Sequence, residues 1–377
     1  MPEAFQELIQ PPDALLAEFE AKRRRLAEQM TSSGLAAVQL QRTENIAWLT
    51  AGRVDRRVLL PSALGTATLL VLRNGEAFYF APENEALRLA EEDFAGLPFT
   101  AVTTPWHTGD FADKIQSLAG GHGHIAADVT AEGAALMLQE RASLHDTEIE
   151  RYRWLGRHTA EVTATVLQSL EPGTTERTMA ARISAGLIER GIEPSVLLMA
   201  ADDRILRYKH AVAQNARFER FGMLNLCSRR WGLCISITRF VHFGPMPQQL
   251  VDAFAIAAEV NARLLAATKT GATSAALFAA AVDAYASLGH PGEEQLHHQG
   301  GATGYGEREW LATPAGEEHV VNRQAFAWNP SIAGGKVEDT VLLRDGGIEL
   351  LTGTPGLPVV STRAGDLTVQ SAGVLIR

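Results

Sequence analysis

The chain has 377 residues, more than one ordinary domain needs, and is 46% hydrophobic, enough for two sizeable cores. Lys and Arg number 34 against 44 Asp and Glu, a net charge of −10 that a phosphate backbone would repel, and no basic run is interleaved with aromatics, so nucleic acid is not an expected partner. Two cysteines, Cys227 and Cys234, offer neither a disulfide framework nor a CxxC metal site; Met1–Glu7 lacks the basic and apolar segments of a signal peptide, and no stretch nears the roughly 20 apolar residues of a membrane span. A reducing cytoplasm and no membrane contact are the expectation.

Residues 13–34 predict an amphipathic helix closing near Ser32-Ser33-Gly34. Short apolar runs then alternate with helical ones. Ala36–Leu40 and Thr66–Leu72 predict strands, Asn74-Gly75 a hairpin turn, Ala77–Phe80 its returning strand, residues 84–95 a helix and His124–Val129 another strand. This is a small α/β domain over residues 1–145. Asp146, followed by Glu148 and Ile149, predicts an N-cap opening a long helix and a second domain over 146–377. A faint repeat runs through that domain. A Gly-Thr turn at Gly173 precedes a helix ending at Gly191, and Gly271 and Gly289 repeat the pattern at a constant offset of 98 (271 − 173 and 289 − 191).

Met223–Ser228 and Gly232–Phe243 predict a β-hairpin around Arg229-Arg230-Trp231-Gly232, with both arginines solvated at its tip. Alternation puts Asn225 on a face with Met223 and Cys227, and Ser236 on a face with Cys234 and Thr238. Further on come Gly300-Gly301-Ala302-Thr303-Gly304, Asn329-Pro330 and Val337-Glu338-Asp339-Thr340. The order and spacing of these segments resemble the aminopeptidase P/prolidase/creatinase family, most specifically from about 205 to 345. The resemblance implies the pita-bread fold, an α/β (α+β) architecture with a creatinase-type N-terminal domain and a pseudo-twofold C-terminal domain. In metal-dependent members the five key positions carry Asp, Asp, His, Glu and Glu and hold two divalent ions. Here they read Asn225, Ser236, Gly301, Asn329 and Glu338, so one ligand of five is retained.

Divalent ions need carboxylates or neutral imidazoles, and an amide, a hydroxyl and a bare glycine are poor substitutes. No dinuclear metal centre and no cofactor are therefore expected. Glu338 would need a cationic partner if buried, and Lys336, two residues away on the same strand face, is the natural one. By resemblance, His210 corresponds to a residue that contacts substrate in the peptidases and is the general acid/base in creatinase. His297, four before Gly301 on the same strand face, corresponds to a second substrate-contacting histidine. Arg308 replaces a third, and Glu309 follows it. His298 is expected to point away, and His242 to be structural. In creatinase-like dimers the loop corresponding to Gly52–Arg57 reaches the partner subunit's site, which brings Arg56 into consideration as a substrate contact.

The inventory of His210, His297, Arg308 and Lys336 against one glutamate suits an anionic small molecule, such as a carboxylate. The favoured reading is a metal-independent hydrolase of a C–N bond, with His210, Glu338 and His297 catalytic. Arg308, Lys336, Asn225, Ser236, Asn329, Glu309 and Arg56 would contact substrate, and the assembly would be a homodimer. One alternative is a non-catalytic module that binds a peptide or small ligand. Another is an Xaa-Pro peptidase with a metal site rebuilt from residues such as His210, His297, Glu309 and Glu338.

Overall fold

The computed structural model describes residues 6–55, 57–108 and 111–377. Two compact units divide the chain: Leu8–Ile149 with Trp231–Leu233, and Glu150–Arg230 with Cys234–Arg377 and the segment ending at Glu7.

The first unit opens with α1 (Pro12–Ser33), which Gly34 ends in the left-handed conformation at φ 71°. There follow β1 (Ala37–Arg42), α2 (Thr43–Leu49), β2 (Leu64–Leu72), β3 (Ala77–Pro82), α3 (Glu83–Arg88, running on as a π-helical turn, Leu89–Asp93), β4 (Thr100–Thr104), α4 (Ala112–Leu118), β5 (Ile125–Ala127) and α5 (Ala131–Arg141). The strands form one mixed sheet in the order β4-β3-β2-β1-β5. The β2–β3 turn is the Asn74-Gly75 turn expected from sequence, with Gly75 at φ 90°. Ala37, Leu70, Leu72, Phe80, Ile115 and Ala119 make a core on this sheet. A buried ion cluster sits beside α1, where Lys22 Nζ donates to Glu18 Oε1 at 2.6 Å, Glu148 Oε1 at 2.7 Å and the Trp48 carbonyl at 2.7 Å.

Helix α6 (Asp146–Gln168) begins one residue earlier than the sequence suggests. Glu148 accepts from the His145 backbone N–H at 2.6 Å, the reciprocal half of a capping box. His145 is therefore the cap and Asp146 the first helical residue, where its charge favours the positive end of the helix dipole.

In the second unit α6 is followed by α7 (Glu176–Ile188), β6 (Glu193–Ala201), α8 (Asp203–Arg207), β7 (Phe221–Arg230), β8 (Leu233–His242), α9 (Gln248–Ala267) and α10 (Ser274–Ser287). After a 3-10 turn at Glu293–Gln295 come β9 (Gly300–Thr303), β10 (Trp310–Leu311), β11 (Gln324–Trp328), β12 (Ser331–Ile332), β13 (Gly335–Lys336), β14 (Asp339–Arg344), β15 (Gly347–Leu350), β16 (Val359–Ala364), β17 (Leu367–Ala372) and β18 (Leu375–Ile376). One sheet runs β18-β8-β7-β6 and another β10-β9-β11-β14-β15.

The internal repeat is physical. Thr175 caps α7 by accepting from Thr178 N, and Thr273 caps α10 by accepting from Ala276 N. Gly173 and Gly271 both sit at positive φ before these caps, and Gly191 and Gly289 after the helices. Phe221, Met223 and Phe240 of the hairpin pack with Phe254, Ala257 and Ala258 of α9 and with Val337. A Cβ on Gly335 would lie 2.4 Å from the Ala253 carbonyl carbon and oxygen, so only glycine lets this strand approach α9. That close approach and the burial of Val337 fix the chain on both sides of Lys336 and Glu338.

Candidate functional site

Hairpin β7–β8 turns through Trp231 and Gly232 at φ 55° and 78°, the two-residue geometry that matches strand twist. Strand alternation then aims Asn225, Cys227, Ser236 and Thr238 at one buried face. Asn225 Nδ2 donates to Thr238 Oγ1 at 2.9 Å and also to Glu338 Oε2. Cys227 Sγ and Ser236 Oγ share a hydrogen at 3.1 Å, and burial raises the Cys227 thiol to about 11, so it stays protonated at neutral pH. Arg229 and Arg230 are not solvated at the tip, contrary to the sequence expectation. Arg229 is 5% exposed, and the Arg230 guanidinium lies 4.6 Å from the Trp154 ring centre.

Glu338 lies in the two-residue gap between β13 and β14, 2% exposed. Arg308 Nη2 donates to its Oε1 at 2.9 Å, and Thr238 Oγ1 to its Oε2 at 2.7 Å; Lys336 Nζ stands 3.5 Å from Oε2. Burial alone would raise the Glu338 carboxyl, but Lys336, Arg308 and the Thr238 hydroxyl outweigh it and hold the group down to about 2. Lys336 is thus a partner, as its position suggested, and Arg308 is the closer one. Arg308 also donates from Nη1 to Ser236 Oγ at 2.8 Å and to the Glu307 carbonyl at 2.6 Å. One guanidinium therefore joins Ser236 to Glu338.

His210 is exposed, and its Nε2 lies 3.0 Å from His297 Nε2. His297 precedes β9 instead of lying within it, so the strand-face argument for it does not hold; it reaches the site from the loop after the 3-10 turn. His298 does not point away. Its ring stacks on His297 with centres 4.4 Å apart and lies 6.0 Å from His210, because both residues are in irregular backbone where alternation has no force. Burial, then Lys336, lowers His297 to about 2; burial, then Arg308, lowers His298 to about 4; His210 is lowered by burial and by Lys336.

Glu309, Asn329, His242 and Arg56 remain of the residues singled out from the sequence. Glu309 Oε1 accepts from Tyr305 N at 2.8 Å and Gly306 N at 3.2 Å, so this carboxylate organises the loop before β10. Asn329 is 2% exposed, and its Oδ1 is buried with no hydrogen-bond partner among the described residues. His242 is buried and bonds the Gly244 carbonyl at 2.9 Å, as a structural histidine would. Arg56 lies outside the described residues. No helix among those residues is long and apolar enough to cross a membrane.

A family model described as Metallopeptidase family M24 matches residues 150–345, more than half of the chain. The chain belongs to this family. Dipeptidase PepE from Mycobacterium ulcerans superposes with a TM-score of 0.74 at 19% identity, covering 90% of this chain and 97% of that one. The prolidase from Pyrococcus horikoshii OT3 gives 0.70 at 18%, with 89% and 98% covered. The N-terminal domain of FACT complex subunit SPT16 from Cicer arietinum gives 0.66 at 11%, with 90% and 97% covered. These likenesses show the pita-bread fold. No curated protein matches the chain.

The residues of this M24 chain do not fit the dinuclear metal centre that the resemblance to metal-dependent members implies. Of the five positions only Glu338 is anionic, and a guanidinium and an ammonium already lie against it. Gly301 cannot be regarded as a ligand position that merely lost its side chain. A Cβ there would lie 2.1 Å from the Trp310 carbonyl oxygen and 3.0 Å from Leu311 Cα, because β10 packs directly over it. Sequence reading missed two features of this site: the bridging reach of Arg308 and the inward turn of His298. The doubled His297-His298 was the only available signal for the second.

Proposed function

We propose that this M24 protein is a metal-independent enzyme cleaving a C–N bond in a small carboxylate-bearing substrate, with His210 as the proton carrier. The observation that supports it best is the Arg308 guanidinium bonded to both Ser236 and Glu338. A fixed organic cation takes the electrostatic place of the ions and leaves the pocket with two cations against one carboxylate. Such a pocket complements an anion. A small cavity of about 20 Å³ beside Lys336, lined by Ile205, Met223 and Phe240 together with Tyr208, Lys209 and Ser331, has room for about one water-sized group.

In this reading, water adds to the substrate carbonyl carbon as His210 takes its proton. The same proton then passes to the departing nitrogen, and His210 returns to the neutral form. His297, kept neutral by burial, holds the His210 ring. Glu338 remains ionised and positions Arg308 and Lys336 rather than carrying protons.

The test is incubation of concentrated protein with Xaa-Pro dipeptides, acyl amino acids and amidino acids in EDTA, with mass spectrometry of the products. A product that persists in EDTA and falls about 100-fold or more in His210→Ala is expected. Activity that EDTA abolishes and Mn²⁺ restores would overturn the reading. Ligand-induced thermal stabilisation without any product would instead support a non-catalytic binding module.

A pH profile follows from the same geometry. The base works in its neutral form, so kcat/KM is lost as pH falls through the His210 pKa, which lies below the ordinary 6.5 or so. The rate should be flat from about pH 6.5 to 8 and decline only below. Lys336→Met removes a charge that holds His210 down, and should move the acid limb upward. An unmoved limb in that variant would remove His210 from the proton-transfer step.

A further inference from the structure

We propose that His210, His297 and His298 form a mononuclear site for a divalent transition ion of the Zn²⁺, Co²⁺ or Ni²⁺ type, separate from the dinuclear position of the family. The three residues come from two segments, the loop after α8 and the loop before β9, and each offers one ring nitrogen within 4.8 Å of the other two. His210 Nε2 and His297 Nε2 are 3.0 Å apart. Two imidazole nitrogens bound at roughly 2.0–2.1 Å to one tetrahedral ion lie about 3.3 Å from each other, so this pair is already near ligand spacing.

A second observation points the same way. His297 is 9% exposed, and its Nδ1 and that of His298 are buried with no hydrogen-bond partner among the described residues. Buried imidazoles normally have both nitrogens satisfied. Here His298 keeps a buried ring nitrogen that none of the described residues engages, in a cluster that opens to solvent at His210; the unpartnered Nδ1 of His297 lies on the ring edge away from the Nε2 that faces His210 and does not itself bear on the ion.

The donor set selects the class of ion. Neutral imidazoles suit borderline transition ions, whereas Mg²⁺ and Ca²⁺ take oxygen. Lys336 and Arg308 both oppose a cation in this region and Glu338, in contact with both, offsets only one of the two charges, so an anion as the remaining ligand would favour binding. Three protein ligands leave a fourth position for water or an anion. Because the site would take up a nitrogen of His210, the bound ion competes with proton transfer, and excess Zn²⁺ should inhibit the activity proposed above instead of supporting it.

The test uses the full chain, stripped with EDTA and dialysed free of it. Co²⁺ is titrated while its visible ligand-field absorption is followed, and Zn²⁺ content is measured after equilibrium dialysis. One ion per chain is expected in the wild type. His298→Gln, His297→Gln and His210→Gln should each bind at least about tenfold more weakly. His124→Gln, at an exposed position in the other unit, should bind as the wild type does. Thermal unfolding of each variant identifies any that fail to fold, and the judgement then rests on those that do. Wild type that takes up no ion, or folded His298→Gln and His210→Gln that bind as tightly as wild type, would overturn the proposal. The readout is metal binding, so its failure is distinct from failure of the proposed hydrolysis.

Discussion

Glu338→Gln is expected to destabilise the protein by about 3–5 kcal/mol, the cost of removing one member of a buried ion cluster. The carboxylate is 2% exposed and faces Arg308, Lys336, Asn225 and Thr238. Neutralising it leaves one buried cation, Lys336, and one half-buried cation, Arg308, without this counter-charge, while the amide preserves the shape. Urea denaturation should therefore show a lower midpoint with little change in slope. Adding Lys336→Met to Glu338→Gln removes one uncompensated cation and should recover part of the loss, which a double-mutant cycle would report as coupling between the two positions. Wild-type stability in the single variant would mean that Glu338 is not the anchor of the cluster.

The second large effect concerns Gly301. Restoring the family's ligands by Asn225→Asp, Ser236→Asp, Gly301→His and Asn329→Glu should not rebuild a dinuclear centre, and the Gly301→His step should fail by itself. The obstacle is backbone, since the added Cβ would meet the Trp310 carbonyl at 2.1 Å. Flexible side chains can move aside, but Trp310 belongs to a strand paired with β9. Gly301→Ala already carries that Cβ and is expected to cost about 1–3 kcal/mol or more. The measurement is urea denaturation of Gly301→Ala and Gly301→His, with Mn²⁺ titration of the quadruple variant. A stable Gly301→His, and a quadruple variant holding two Mn²⁺ per chain, would show that only side-chain identity separates this site from its metal-binding relatives.

These expectations show where the sequence was readable. The hairpin carrying Asn225 and Ser236, the Gly-Thr caps of α7 and α10 and the Asn74-Gly75 turn were all legible. Each depends on residues within a few positions of one another: alternation in a strand, a hydroxyl capping a helix, a glycine at positive φ. The order and spacing of the motifs carried the family, and the residue types at five positions showed that four familiar ligands are absent.

The tertiary structure decided what replaces them. Arg308 reaches Glu338 across 30 residues of chain and Ser236 across 72, and no local pattern encodes such a contact. His298 turns toward His210 because the segment before β9 is irregular, so the strand rule that sent it outward had nothing to act on. Arg229 and Arg230, read as solvated tip residues, are buried and half-buried instead, and Trp154 supplies the ring that covers Arg230. The sequence by itself determined the scaffold and the loss of the ligand set, because periodicity, capping and residue type are local properties. The charge balance of the pocket, the backbone lid over Gly301 and the convergence of three histidines came only with the tertiary structure, because each is a meeting of segments distant in the chain.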